Sequence, residues 1–111
     1  MALSRDQILG ADDLGLVEVS VPEWGGSVSL RVMRGHERDA FEVRMSAEDR
    51  ANVRARLAAL SIVDEAGVRL FSDDDIEALG EKSASALNRV FERAMSLNGF
   101  TDADVEALEG N

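Results

Sequence analysis

Few side chains in this 111-residue sequence could do covalent or acid–base chemistry. His36 is the only histidine and there is no cysteine. A thiol nucleophile, a disulfide framework and a Cys/His zinc site are therefore excluded. A metal would have to be held by carboxylates. Asp73, Asp75 and Glu77 alternate in a way that invites calcium, but a calcium loop starting at Asp73 needs glycine sixth and glutamate twelfth. Ala78 and Ala84 stand there, and helix capping explains the acids better. Asp12 and Asp13 are adjacent, so in an extended segment they point apart and make no acid/base pair. Gly25-Gly26 leads into Ser-Val-Ser and a strand, whereas phosphate-cradling glycine loops open a helix. His36, between Gly35 and Glu37, reads as a solvated residue at a helix start. The chain is expected to be no enzyme and to need no cofactor.

What remains is contact chemistry. The stretch VEVSVPEWGGSVSLRVM, residues 17–33, holds the only tryptophan and the only proline. Tryptophan is enriched at interface hot spots, and methionine adapts to irregular apolar partners. Trp24, with Pro22 beside it, and Met33 on the polar face are therefore the candidate partner-binding residues. Two readings of Trp24 stand: a lid over the protein's own helices, or a contact with another molecule.

The elements that must position these residues can be read from period and caps. Val17, Val19 and Val21 alternate with Glu18 and Ser20; Val28, Leu30 and Val32 alternate with Ser29 and Arg31. Period two on both arms around Pro22–Gly26 predicts a β-hairpin. A lone hairpin is marginal in water, so its apolar face must be covered. Helix starts recur downstream. Ser4-Arg-Asp-Gln7 is a capping box, and Ser46, Ser72 and Thr101 each precede acids that suit a first turn. FSDDDIEALG at 71–80 nearly repeats as FTDADVEALE at 100–109, each with a staple expected, Phe71 with Ile76 and Phe100 with Val105. Helices are predicted over 35–45, burying Phe41 and Met45; over 46–60; and over 83–97, with Asn98-Gly99 closing the last. Residues 61–71 read as a minor hairpin or turn around Asp64–Gly67. The expected class is α+β: one domain over 1–111, with a hairpin at about 16–33 and a small mostly helical bundle at about 36–109.

Charge bounds the partners. Acids outnumber bases 22 to 12, a net −10, which repels nucleic acid and disfavours the usual basic footprint. Eight arginines lie between Arg31 and Arg69 among seven acids, and they read as a mixed solvated face. No stretch approaches the ~20 apolar residues of a membrane span. The absence of cysteine suits a reducing cytoplasm.

The order of segments carries a resemblance. ILGADDL leads to V-P-E-W-G-G with its flanking strands, then G-x-E-R-D-A-F-E, then L-F-S-D-D-D-I-E-A-L-G and the helix after it. Over nearly its whole length the chain resembles the tail assembly chaperones of long-tailed (siphovirus-type) bacteriophages or prophages, in the short form of a frameshift pair. The resemblance implies that it binds the tape measure protein, a long apolar helical chain, and keeps it soluble. It implies recruitment of tail tube protein, mainly through the extended frameshift form, and possible self-association. It also implies residence in the bacterial host cytoplasm during assembly and absence from the mature virion. The competing expectation is a small protein-binding regulator, an acidic mimic of nucleic acid that occupies a basic groove.

Overall fold

In a computed structural model the chain is described at residues 1–46, 51–101, 103 and 104. Its elements are α1 (Arg5–Leu9), β1 (Leu16–Val21), β2 (Gly26–Arg31), α2 (Gly35–Ser46), α3 (Val53–Ser61), β3 (Ile62–Val63), α4 (Ile76–Gly80) and α5 (Ala84–Leu97). The α+β class is as the sequence indicates, with one addition: the hairpin gains a third strand. The antiparallel sheet runs β1-β2-β3. Ile62 and Val63 pair with Leu30 and Ser29, and Val63 also bridges to Arg69 around the Asp64–Gly67 turn. The Asp64 carboxylate accepts from the amides of Ala66 and Val68, and Gly67 supplies the positive φ of 81° that closes the turn.

Register places apolar against apolar. Val17 faces Leu30, Val19 faces Val28, and Val21 faces Gly26, so these share one face of the sheet. α3 and α5 cover it. α5 buries Ala86, Leu87, Val90, Phe91, Ala94 and Met95, a stripe at helical spacing. α3 contributes Val53, Ala55, Leu57, Ala58 and Ala59, small residues that let the two helices approach. Ser83 caps α5, its hydroxyl accepting from the Ala86 amide. The capping boxes at Ser4/Gln7 and Ser72/Asp75 form as expected, as does the reciprocal pair of Thr101 and Asp104.

Two expectations change, and a third falls outside the described residues. Ser46 ends α2 and does not cap a new helix; the acids expected to follow it lie outside the described residues. α3 begins at Val53, after Asn52 in the left-handed region. Val105, the partner expected for Phe100, also lies outside them. Phe100 meets Phe41 edge-on, ring centroids 6.2 Å apart, beneath the Arg38 guanidinium at 4.1 Å. Arg31 is no part of a solvated face. It is 2 % exposed, and its Nη2 donates to both Glu37 carboxylate oxygens at 2.8 and 3.0 Å. Glu37 Oε1 also accepts from the Arg34 amide at 2.7 Å. That carboxylate joins the end of β2 to the first turn of α2.

Candidate protein-interaction surfaces

The hairpin tip is built as a rigid unit. Pro22–Trp24 form one 3-10 turn, entered by Pro22 at a position that needs no amide, and Gly25 closes it at φ 75°. Glu23 anchors the tip to α5. Its carboxylate accepts from the Ser85 hydroxyl at 2.8 Å and from Arg89 Nε at 2.9 and 3.1 Å. The carboxyl is held below the ordinary glutamate range, first by its own backbone amide, then by Ser85 and Arg89.

Trp24 is half-buried and packs on the core cluster while keeping part of its surface in solvent. Pro22 is exposed beside it. Met33 is placed differently from expectation. It is not on the polar face but 5 % exposed, within the core. β2 ends at Arg31, so period two no longer governs residue 33, and the Asn98 side-chain carbonyl accepts from the Met33 amide at 2.8 Å. Trp24 and Pro22 therefore share one surface and Met33 lies beneath another.

The free edge that the hairpin offers is that of β1. The Val32 amide donates to the Gly15 carbonyl at 3.0 Å. Hydrogen-bonded pairs alternate along an antiparallel ladder, so Val17, Val19 and Val21 bond to β2. The N–H and C=O groups of Leu16, Glu18 and Ser20 then point away from the sheet, at an edge available for pairing. One feature escaped sequence reading: a cleft of about 390 Å³ beside α2 and α3, lined by Phe41, Leu60 and Ile76 and by the charged Glu37, Arg44, Arg56, Arg69 and Asp73, with Arg69 paired to Asp73 at 3.2 Å. The arginine-rich stretch was its only sequence signal, and spacing alone could not show that those arginines converge.

No family model matches the chain, and neither does any curated protein. A solved structure does: that of the bacteriophage HK97 tail assembly chaperone, 23 % identical, superposing with a TM-score of 0.63 over 87 % of this chain and 95 % of that one. The chain has the fold of a tail assembly chaperone. The likeness spans sheet and helices together, and the two chains are close to the same length. No helix among the described residues is long and apolar enough to cross a membrane.

Proposed function

We propose that this chain is a tail assembly chaperone of a long-tailed bacteriophage or prophage, acting as the short form of a frameshift pair. In this role it binds the tape measure protein, keeps that chain soluble and helps bring tail tube subunits to it. It works in the host cytoplasm by protein contact, without catalysis, and leaves before the virion is complete. The observation that carries the proposal is the near end-to-end match to the HK97 tail assembly chaperone. The order of sequence segments, which points to the same family independently, adds to it.

The physics suits the role. A chaperone for an apolar helix needs apolar surface on a body that resists aggregation. The half-exposed Trp24 and the exposed Leu16, Val43, Val68 and Leu70 supply the first, and a net charge of −10 supplies the second. Trp24 and Pro22 are the proposed contact on the hairpin tip, and the β1 edge is a proposed route to self-association. Four of the 22 acids that the competing mimic reading would draw on are engaged within the protein. Asp75 and Asp104 close caps, Glu23 clamps the tip and Glu37 is buried.

Removing the gene from the encoding phage tests the role. Filled heads without tails, with tails restored when the chain is supplied in trans, are the expected result. Normal tails without it would overturn the proposal.

A further inference from the structure

We infer that the Asn98–Gly99 pair is a latent site of covalent modification, a spontaneous deamidation that the fold holds off and that only a chain opened at the end of α5 undergoes. The inference stands apart from the tail assembly reading, because it rests on the chemistry of two adjacent residues and the contacts that hold them.

Asparagine followed by glycine is well disposed to close on itself. Glycine has no Cβ to keep its nitrogen away from the asparagine side chain. The Gly99 nitrogen, its proton lost to solvent base, attacks Asn98 Cγ. A bond forms from that nitrogen to Cγ, the Cγ–Nδ2 bond breaks, and Nδ2 leaves as ammonia. Water then opens the five-membered imide at either carbonyl, giving aspartate or isoaspartate. The net change is amide plus water to carboxylic acid plus ammonia, and it needs no oxidant. Asn98 is the only asparagine in the sequence that glycine follows.

The atoms that must move are held. Nδ2, the leaving group, donates to the Ala94 carbonyl at 2.7 Å, and Oδ1 accepts from the Met33 amide at 2.8 Å. The Gly99 amide donates to the Ser96 carbonyl at 3.0 Å and the Phe100 amide to that of Met95 at 3.0 Å. These bonds keep the nucleophile protonated and its peptide fixed. Asn98 sits at φ −91°, ψ 9°, where the Gly99 nitrogen is far from eclipsed with Cβ, so the ring cannot close without backbone rotation. Arg38 donates to the Asn98 carbonyl and covers the Phe100 ring, which resists that rotation. Gly99 itself is exposed, so base and water reach the pair once the bonds part. Helix ends open at low cost compared with the core of a fold, and here each opening frees a reactive pair. Reaction makes the opening permanent. A carboxylate oxygen replaces Nδ2 against the Ala94 carbonyl, acceptor against acceptor, and isoaspartate adds a methylene to the backbone at the cap. Either product loosens the hold of α5 on the exit of β2.

The test incubates the full chain at mildly alkaline pH, folded in buffer or held unfolded in urea. Peptide mass spectrometry and isoaspartyl methyltransferase labelling follow each asparagine. Unfolded chain should deamidate at Asn98 before Asn52, Asn88 or Asn111. Folded chain should react there at least about tenfold more slowly, the factor that two ordinary hydrogen bonds supply. Arg38→Ala, checked to be folded by circular dichroism, should speed the folded reaction and leave the reaction in urea unchanged. Asn98→Asp, the product made genetically, should raise hydrogen exchange at the Met33 and Phe100 amides at least about tenfold, again by loss of those bonds. Equal rates in buffer and in urea would overturn the inference, as would earlier reaction at another asparagine. So would an Arg38→Ala chain that reacts no faster than wild type, or an Asn98→Asp chain whose Met33 and Phe100 amides stay as protected.

Discussion

The Arg31–Glu37 pair is where a single residue matters most. Both side chains are nearly sealed from water, and Arg31 Nε finds no partner among the described residues. Removing one member strands a buried charge, whereas replacing both by apolar groups removes the desolvation cost along with the attraction. Glu37→Ala should therefore destabilise the fold by about 3–5 kcal/mol in urea unfolding. Arg31→Met/Glu37→Leu should come out near neutral or above wild type. Glu23 offers a pH test at the same scale. Its folded pKa lies below 4.5, so the stability it contributes is present above the unfolded value and is lost as pH falls through the folded one. Carbon-detected titration should place its midpoint below that of an ordinary glutamate, and Arg89→Ala should raise it. Neither role was legible in the sequence. An arginine in an alternating strand reads as outward-facing, and Arg31 meets Glu37 only because the chain turns between them.

At the scale of elements the hairpin, the α5 stripe and most caps were legible, because period two, helical spacing and Ser/Thr-to-acid pairs are local signals. β3 was legible only as one arm of the minor hairpin at 61–71, which the Val63–Arg69 bridge bears out; its pairing with β2 was not, because two residues are too few to show a period. α3 was read as starting too early because Ser46 and the acids after it imitate a cap. Asn98 was read as a C-cap and does more. Its side chain donates to the Ala94 carbonyl and accepts from the Met33 amide, and its own carbonyl accepts from Arg38. One residue thus ties the exit of β2 and the first half of α2 to the end of α5. Asn98→Ala should cost about 1–3 kcal/mol by leaving the Met33 amide without its acceptor. Hydrogen exchange should show faster opening at residues 32–38 with little change in α3. Global acceleration would mean that the tie is not local.

At the scale of the whole molecule, an apolar core of sheet and helices sits inside an acidic exterior, with the proposed contact surfaces, the Trp24 tip and the β1 edge, at its margins. Sequence order pointed to a family, but which margins touch which partner depends on residues far apart in the chain. Trp24 is only half covered by the core it packs on, so Trp24→Ala should cost roughly 1–2 kcal/mol, less than the ~3–5 kcal/mol of a fully buried aromatic. A larger effect on client binding than on stability is expected for it. The most direct measurement is co-expression of this chain with the tape measure protein of the same phage, followed by fractionation and affinity purification at moderate salt. A tape measure protein that is insoluble alone, and soluble and co-purifying when this chain is present, is the predicted result. A tape measure protein that stays insoluble and unbound, with both the short chain and its frameshifted extension supplied, would contradict the proposed role.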